Sequence, residues 1–186
     1  AYMFVEWENL TNHIMLVTNS TVNSLNKSEQ YADNSVTYSK KMTVDITKQI
    51  LNVLEILKKE LDKKQIQVCL FLVELPLITG KEKDFFQIWY NLISNAIYAM
   101  SPKGMLTIKT INKNNNITIE LSDTGQGVSN VLKDQIFDPF FSTNYPEQNV
   151  RFGLFFIKNI LDSYQATIEL KSLDNLITFK IVIPVH

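Results

Sequence analysis

Two asparagines four residues apart, Asn91 and Asn95, interrupt an apolar stretch that reads Trp89-Tyr-Asn-Leu-Ile-Ser-Asn-Ala96. On a helix that spacing projects both amides from one face. An amide oxygen is a hard ligand suited to Mg²⁺, which binds oxygens and keeps waters and phosphates in its shell. The same pair would equally serve hydrogen bonds to neighbouring backbone. Further along, Asp123-Thr-Gly125-Gln-Gly127 follows a strand-like run. A carboxylate at a strand end can accept a hydrogen bond from an exocyclic amine such as that of adenine. Glycines beside it let backbone approach a ligand where a side chain would collide. A plain Asp-Thr-Gly turn is the alternative, and the dinucleotide fingerprint is excluded because its third glycine and βαβ unit are absent. A third segment, Ile136-Phe-Asp-Pro-Phe-Phe-Ser-Thr143, clusters aromatics ahead of a stretch without periodicity. Phe137, Phe140 and Phe141 are core candidates. Arg151 and Lys158 are either phosphate ligands or solvated surface charges.

The elements that must hold these residues follow from periodicity. Residues 1–40 are rich in Asn, Ser and Thr, with Leu10, Ile14, Val17, Val22 and Leu25 in a rough helical stripe near Trp7. A helix is expected over 5–34, and its stripe must pack on something, either this domain or a partner helix. A short strand is expected at 41–45. Asp45 then caps a helix over 46–63 that buries Ile50, Val53, Leu54, Leu57 and Leu61. Residues 65–73 read as a strand, 75–80 as a connection and 81–100 as a helix ended by Ser101-Pro102-Lys-Gly104. A hairpin over 105–111 and 117–121 turns through Asn112 to Asn116, with Ile117, Ile119 and Leu121 on one face. Residues 122–152 are expected to be mostly loop, with a short helix near 130–135. A helix over 153–164 and a second hairpin, 166–170 and 176–183, close the chain. This order predicts an α+β fold, a two-layer sandwich of one sheet with helices on one face, preceded by the N-terminal helix.

Composition narrows the function classes. The 186 residues are 45% hydrophobic and 20% charged, with a net charge of −1. That describes a globular domain without the basic surplus of a nucleic-acid binder. One cysteine, Cys69, excludes a disulfide framework and is read as inert packing in a reducing, cytoplasmic setting, with a reactive thiol as the alternative. No run of about 18 apolar residues suggests a membrane span, and no signal-peptide pattern is visible. The first residue is alanine. The chain is therefore expected to be a fragment, with an inner-membrane anchor or sensor possible outside it.

The three segments, in this order, resemble the N, G1 and F boxes of the GHKL (Bergerat-fold) ATPase superfamily. More narrowly, they resemble the catalytic ATP-binding domain of sensor histidine kinases. The run Asn91-Leu-Ile-Ser-Asn95-Ala-Ile-Tyr-Ala-Met100 is most similar to the nitrogen-regulation type. The resemblance covers 41–186 and leaves 1–40 as a remnant of the dimerisation and phosphoacceptor hairpin. It implies ATP and Mg²⁺ as cofactors, with Asn95 the metal ligand, Asn91 supporting the phosphates and Asp123 recognising adenine. Gly125 and Gly127 shape the pocket, and Thr143, Gly153 and Leu154 complete the nucleotide site. Residues 142–152 would form a mobile lid. Hydrolysing superfamily members carry glutamate at position 91; an amide cannot accept a proton at neutral pH, so Asn91 favours phosphoryl transfer over hydrolysis. The implied partners are a histidine domain of the same protein, a response regulator and a second copy.

The chain departs from the family pattern near that site. The second glycine box, Gly-x-Gly-x-Gly-Leu, stands here as Asn149-Val-Arg151-Phe-Gly153-Leu154. The family's His-Gly-Gly is Tyr164-Gln165-Ala166, and its Gly-Thr pair is Leu176-Ile177. Either the lid is built differently or the domain is a degenerate module acting in dimerisation or docking. Two histidines are present. His186 is terminal, and His13 precedes Ile14 where an acceptor would precede an acid. The phosphoacceptor is therefore expected outside these residues.

Overall fold

The computed structural model describes residues 3–5, 42–125, 135–138, 152–173 and 176–185. Six strands form the main sheet in the order β1-β3-β5-β6-β8-β7, and β2 and β4 form a two-stranded ladder beside it. They are β1 (Met3–Val5), β2 (Thr43–Val44), β3 (Gln67–Leu72), β4 (Ile78–Thr79), β5 (Met105–Lys113), β6 (Asn116–Asp123), β7 (Thr167–Leu173) and β8 (Leu176–Pro184). The helices are α1 (Ile46–Ile56), α2 (Lys58–Lys64), α3 (Glu82–Ala99) and α4 (Phe152–Ser163), with a 3₁₀ turn at Gln135–Phe137. Among the described residues only β3 and β5 pair in parallel; α3 lies in the crossover between them, and the other pairs are antiparallel.

One core lies between the helices and one face of the sheet. Alternate strand residues face it: Val68, Leu70 and Leu72; Leu106 and Ile108; Ile117, Ile119 and Leu121; Ile177, Phe179, Ile181 and Ile183. From α3 it receives Phe85, Ile88, Trp89, Leu92, Ile93, Ala96 and Ile97, a stripe at helical spacing. The expected two-layer α+β sandwich is therefore present. The opposite sheet face is mixed, with Cys69 and Phe71 on β3, and a charged row crosses it in alternating sign: Lys109 beside Glu120, Glu120 beside Lys180, Lys180 beside Glu169.

Local chemistry sets the element boundaries. Asp45 caps α1 by accepting the Lys48 N–H at 2.9 Å. The single helix expected over 46–63 is broken at Leu57, where φ is −89° and ψ is 8°. Leu57 and Leu61 are both buried, as the four-residue spacing of one helix face expects. Gln65 is left-handed at φ 54° and ends α2, so β3 starts two residues later than expected. The first hairpin turns through Asn114 and Asn115, at φ 53° and 55°, the two-residue turn whose twist matches the strands. The connection expected at 75–80 contains β4, which pairs with β2. Of the short helix expected near 130–135, residues 130–134 lie outside the described residues, and Gln135 opens a 3₁₀ turn over Gln135–Phe137.

Two further differences concern the N-terminus and the end of α3. Val5, expected to open a helix, ends β1 and pairs with Leu70. The rest of that expected helix lies outside the described residues. The C-terminal carbonyls of α3 meet the Lys64 ammonium, which donates to Ile97 O at 2.7 Å, Tyr98 O at 3.0 Å and Met100 O at 2.9 Å. A cation on these unpaired carbonyls complements the negative end of the helix.

Candidate nucleotide site

Asp123 ends β6 and is 1% exposed. Its register neighbours are Leu106 on β5 and Ile177 on β8, both buried and apolar. Oδ1 accepts the Gly125 N–H at 2.9 Å. No other hydrogen bond to this carboxylate is made among the described residues. Burial pushes the carboxyl from 3.8 up to about 6, against the opposing pull of the Gly125 hydrogen bond. At neutral pH the group is thus an ionised acceptor in an apolar setting, strong toward a donor that can reach it.

Gly125 is required by space and not by an unusual φ. A Cβ there would lie 2.6 Å from Asp123 Oδ1 and 3.0 Å from Ala99 Cβ. The loop after β6 is therefore pressed against the last turn of α3. Gly153 is similar: its Cβ would stand 3.1 Å from Asn91 Cγ. The first turn of α4 thus rests on Asn91. At Gly125 and Gly153 the nearest neighbours of such a Cβ belong to the protein itself, and Gly127 lies outside the described residues.

These contacts organise α3 into a ladder. Asn91, Asn95 and Ala99 follow at intervals of four on one helix face. Asn91 touches Gly153 and Ala99 touches Gly125, so Asn95 stands between the two contact points. Both asparagines are half-buried. Ser94 Oγ donates to Asn91 O at 3.2 Å. Leu154 is buried behind the α4 turn. Segments far apart in sequence thus converge: the middle of α3, the end of β6 and the start of α4. Gly127, Thr143, Phe140, Phe141, Arg151 and residues 142–150 lie outside the described residues, and so do His13 and His186. Ile136 is buried, and Phe137 packs against the core. Lys158 is exposed on α4. Cys69 is half-buried on β3 and carries a free thiol.

The departures noted in the sequence now have surroundings. Ile177 puts an apolar side chain beside Asp123, where it offers no donor and helps keep water away. One residue on, Thr178 Oγ1 and Ser122 Oγ share a hydrogen bond at 2.8 Å. Tyr164, missed as a useful residue, ties the end of α4 to the start of α3. Its hydroxyl accepts the Lys81 N–H at 3.0 Å and donates to Asp84 Oδ2 at 2.7 Å. The α3 N-terminus has no cap from Lys81's own side chain, so the tyrosine supplies that acceptor. Its ring lies 4.8 Å from that of Phe85, centroid to centroid. Burial, then the Asp84 carboxylate, hold the phenol above its usual range, although the Lys81 N–H pulls it down. Gln165 adopts φ 55°, the left-handed turn where the family has glycine.

A cleft of about 620 Å³ opens at the other end of the sheet, between Met42, Ile78, Tyr164, Ile183 and Val185. Asp123 pairs with Ile177 and Pro184 with Asn116, which separates this cleft from the candidate site by the length of β6.

Residues 80–186 match the family described as histidine kinase-, DNA gyrase B- and HSP90-like ATPases, and the chain belongs to that family. Its curated relatives are varied sensor kinases. Sensor histidine kinase ZraS of Escherichia coli K12 is 26% identical over 77% of this chain and 31% of its own length. The histidine-protein kinase AtoS of the same strain is 30% identical over 61% of this chain and 19% of its own length. The chain thus spans about a third or less of these relatives. Among solved structures, the catalytic domain of histidine kinase ThkA superposes with a TM-score of 0.70 at 22% identity, over 77% of this chain and 95% of that one. Acinetobacter baumannii histidine kinase AdeS gives a TM-score of 0.66 at 21% identity, over 97% of this chain and 84% of that one. The fold is that of histidine kinase catalytic domains.

Proposed function

We propose that this chain binds Mg·ATP and transfers the γ-phosphoryl to a histidine outside these residues, as the catalytic part of a sensor histidine kinase. The observation that carries the reading is the convergence of Asp123, the Asn91–Asn95 ladder and the α4 N-terminus. Asp123 is suited to accept the adenine amine through the oxygen that Gly125 does not engage. Asn95, between the two glycine contacts, is proposed to offer its amide oxygen to Mg²⁺, which neutralises phosphate charge when bound. Asn91 and the backbone N–H groups of the first α4 turn suit phosphate oxygens, because the positive end of the helix dipole lies there. Gly127 and Thr143 are proposed to complete the pocket. With an amide at 91 no side chain there activates water, so transfer by positioning and charge neutralisation is favoured over hydrolysis.

The partners are proposals of the same kind. ThkA has been solved in complex with its response regulator TrrA, and that complex superposes on 96% of this chain at 18% identity and a TM-score of 0.68. A response regulator, a second copy and an upstream histidine domain are accordingly proposed, with residues 1–40 as the remnant of the dimerisation hairpin. The local Asn91–Met100 similarity supports the nitrogen-regulation type. No described helix is long and apolar enough to cross a membrane; cytoplasmic placement of this domain, with a membrane anchor elsewhere, is part of the proposal.

Calorimetric titration with a non-hydrolysable ATP analogue, with and without Mg²⁺, tests the reading. Micromolar, Mg²⁺-strengthened binding is expected. Absence of binding at millimolar ligand would overturn it and favour a docking module with a lid disabled by Asn149 and Arg151.

A further inference from the structure

One side chain from outside α3 holds the end of that helix. Lys64 is the last residue of α2, just before the left-handed Gln65. Its ammonium meets the carbonyls of Ile97, Tyr98 and Met100 and lies 5.7 Å from the centroid of the Tyr98 ring. Ala99 stands among these three residues and presses on Gly125. Gly125 in turn donates to Asp123 Oδ1. A line of contacts thus runs from the ammonium through the end of α3 to the carboxylate. A second line starts from the same residue. The Lys64 carbonyl accepts the Lys103 N–H at 2.8 Å, and the Gly104 carbonyl accepts the Gln67 N–H at 2.9 Å, which ties down the turn before β5. Met105 then exchanges two hydrogen bonds with Thr124: its N–H donates to Thr124 Oγ1 at 2.9 Å, and its carbonyl accepts the Thr124 N–H at 3.2 Å.

We infer that Lys64 is a positioning residue for the base end of the nucleotide site, acting through Ala99 on Gly125 and so on the Asp123 carboxylate. The last turn of a helix is where fraying starts, because its carbonyls lack partners within the helix. α3 has no basic residue in its own last turn, and its cap residue Met100 is extended at φ −79° and ψ 140°, so no left-handed cap closes it. The cation that complements this helix end therefore comes from α2. That the loop after β6 meets adenine rests on the Mg·ATP reading; that Lys64 holds the loop does not.

Lys64→Met in the full chain keeps the apolar stem and removes the charge and every donor of the ammonium. It leaves the backbone line through Lys103 and Met105 intact. Amide hydrogen exchange should show the Gly125 N–H exchanging at least about tenfold faster, with the Thr124 N–H and the β6 and β8 ladders at wild-type rates. Calorimetric titration with a non-hydrolysable ATP analogue should show affinity about tenfold weaker. The gain on adding Mg²⁺ should be unchanged, because Asn95 precedes the loosened carbonyls. Wild-type exchange at Gly125 in the folded variant would overturn the inference. So would Gly125 and Thr124 accelerating together, the mark of general loosening. If Lys64→Met does not fold, Ala99→Gly removes the methyl that faces Gly125 and should give the same selective acceleration; wild-type Gly125 exchange there overturns the inference as well. A wild-type protein that binds no analogue overturns the Mg·ATP reading instead, and Gly125 exchange still decides the role of Lys64.

Discussion

Asp123→Asn should make the domain more stable at neutral pH while weakening its hold on nucleotide. The folded carboxyl sits at about 6 against 3.8 for the ordinary group, so in that window the folded state keeps a proton that the unfolded chain releases. Stability from this source is therefore present below pH 3.8 and is lost as pH rises through 6. The full shift corresponds to about 3 kcal/mol against folding at pH well above 6. Because Asp123 is 1% exposed, solvent screening removes little of it. Asparagine keeps the shape and can still accept the Gly125 N–H, but it does not ionise. Urea denaturation of both proteins should show the variant gaining about 2 kcal/mol relative to wild type between pH 4.5 and 7.5. The comparison cancels every group the two share. Replacing a charged acceptor by a neutral amide should at the same time cost about 1.5–3 kcal/mol of ATP affinity, or about 10–100-fold. Parallel stability profiles across that pH range would refute the raised carboxyl. Undiminished ATP affinity would refute its contact with the base.

Three other substitutions probe separate parts of the site. Asn95→Ala should abolish the Mg²⁺-dependent part of ATP affinity in calorimetry while changing the urea midpoint little, since Asn95 is only half-buried. Gly125→Ala forces a methyl to within 2.6 Å of Asp123 Oδ1. It should destabilise by about 1–3 kcal/mol and weaken ATP binding as well. Tyr164→Phe removes the two hydrogen bonds joining α4 to α3. It should cost about 1–3 kcal/mol in thermal unfolding with ATP affinity nearly unchanged, because it lies at the far end of α3 from Asp123.

Much of this arrangement was legible because it rests on local rules. The 3.6-residue stripe of α3, the period-2 alternation of β6 and the Asp45 cap each speak through nearest neighbours, and each appears where expected. Asn91 and Asn95 were readable as a pair for the same reason. The break at Leu57 was not, because the buried spacing of Leu57 and Leu61 is that of one continuous helix and no glycine or proline marks the change. The pairing of β4 with β2 rests on two residues per strand, too few for a periodic signal. Tyr164 read as a loss of the family's His-Gly-Gly because its partners, Lys81 and Asp84, lie some eighty positions earlier. The raised pKa of Asp123 comes from burial, and its neighbours there, Leu106 and Ile177, are revealed only by strand register.

The distance between the two glycine contacts is the rise of α3 from Asn91 to Ala99, about 12 Å at 1.5 Å per residue. A helix cannot stretch to absorb an extra residue; one insertion turns everything beyond it by about 100°. Between these positions evolution and engineering can exchange side chains but cannot change the count without parting the two contacts. The Asn114–Asn115 turn, at the opposite end of β6 from Asp123, carries no such restriction. Variation in length among related chains should therefore collect at that turn, while the stretch from Asn91 to Ala99 keeps one length throughout.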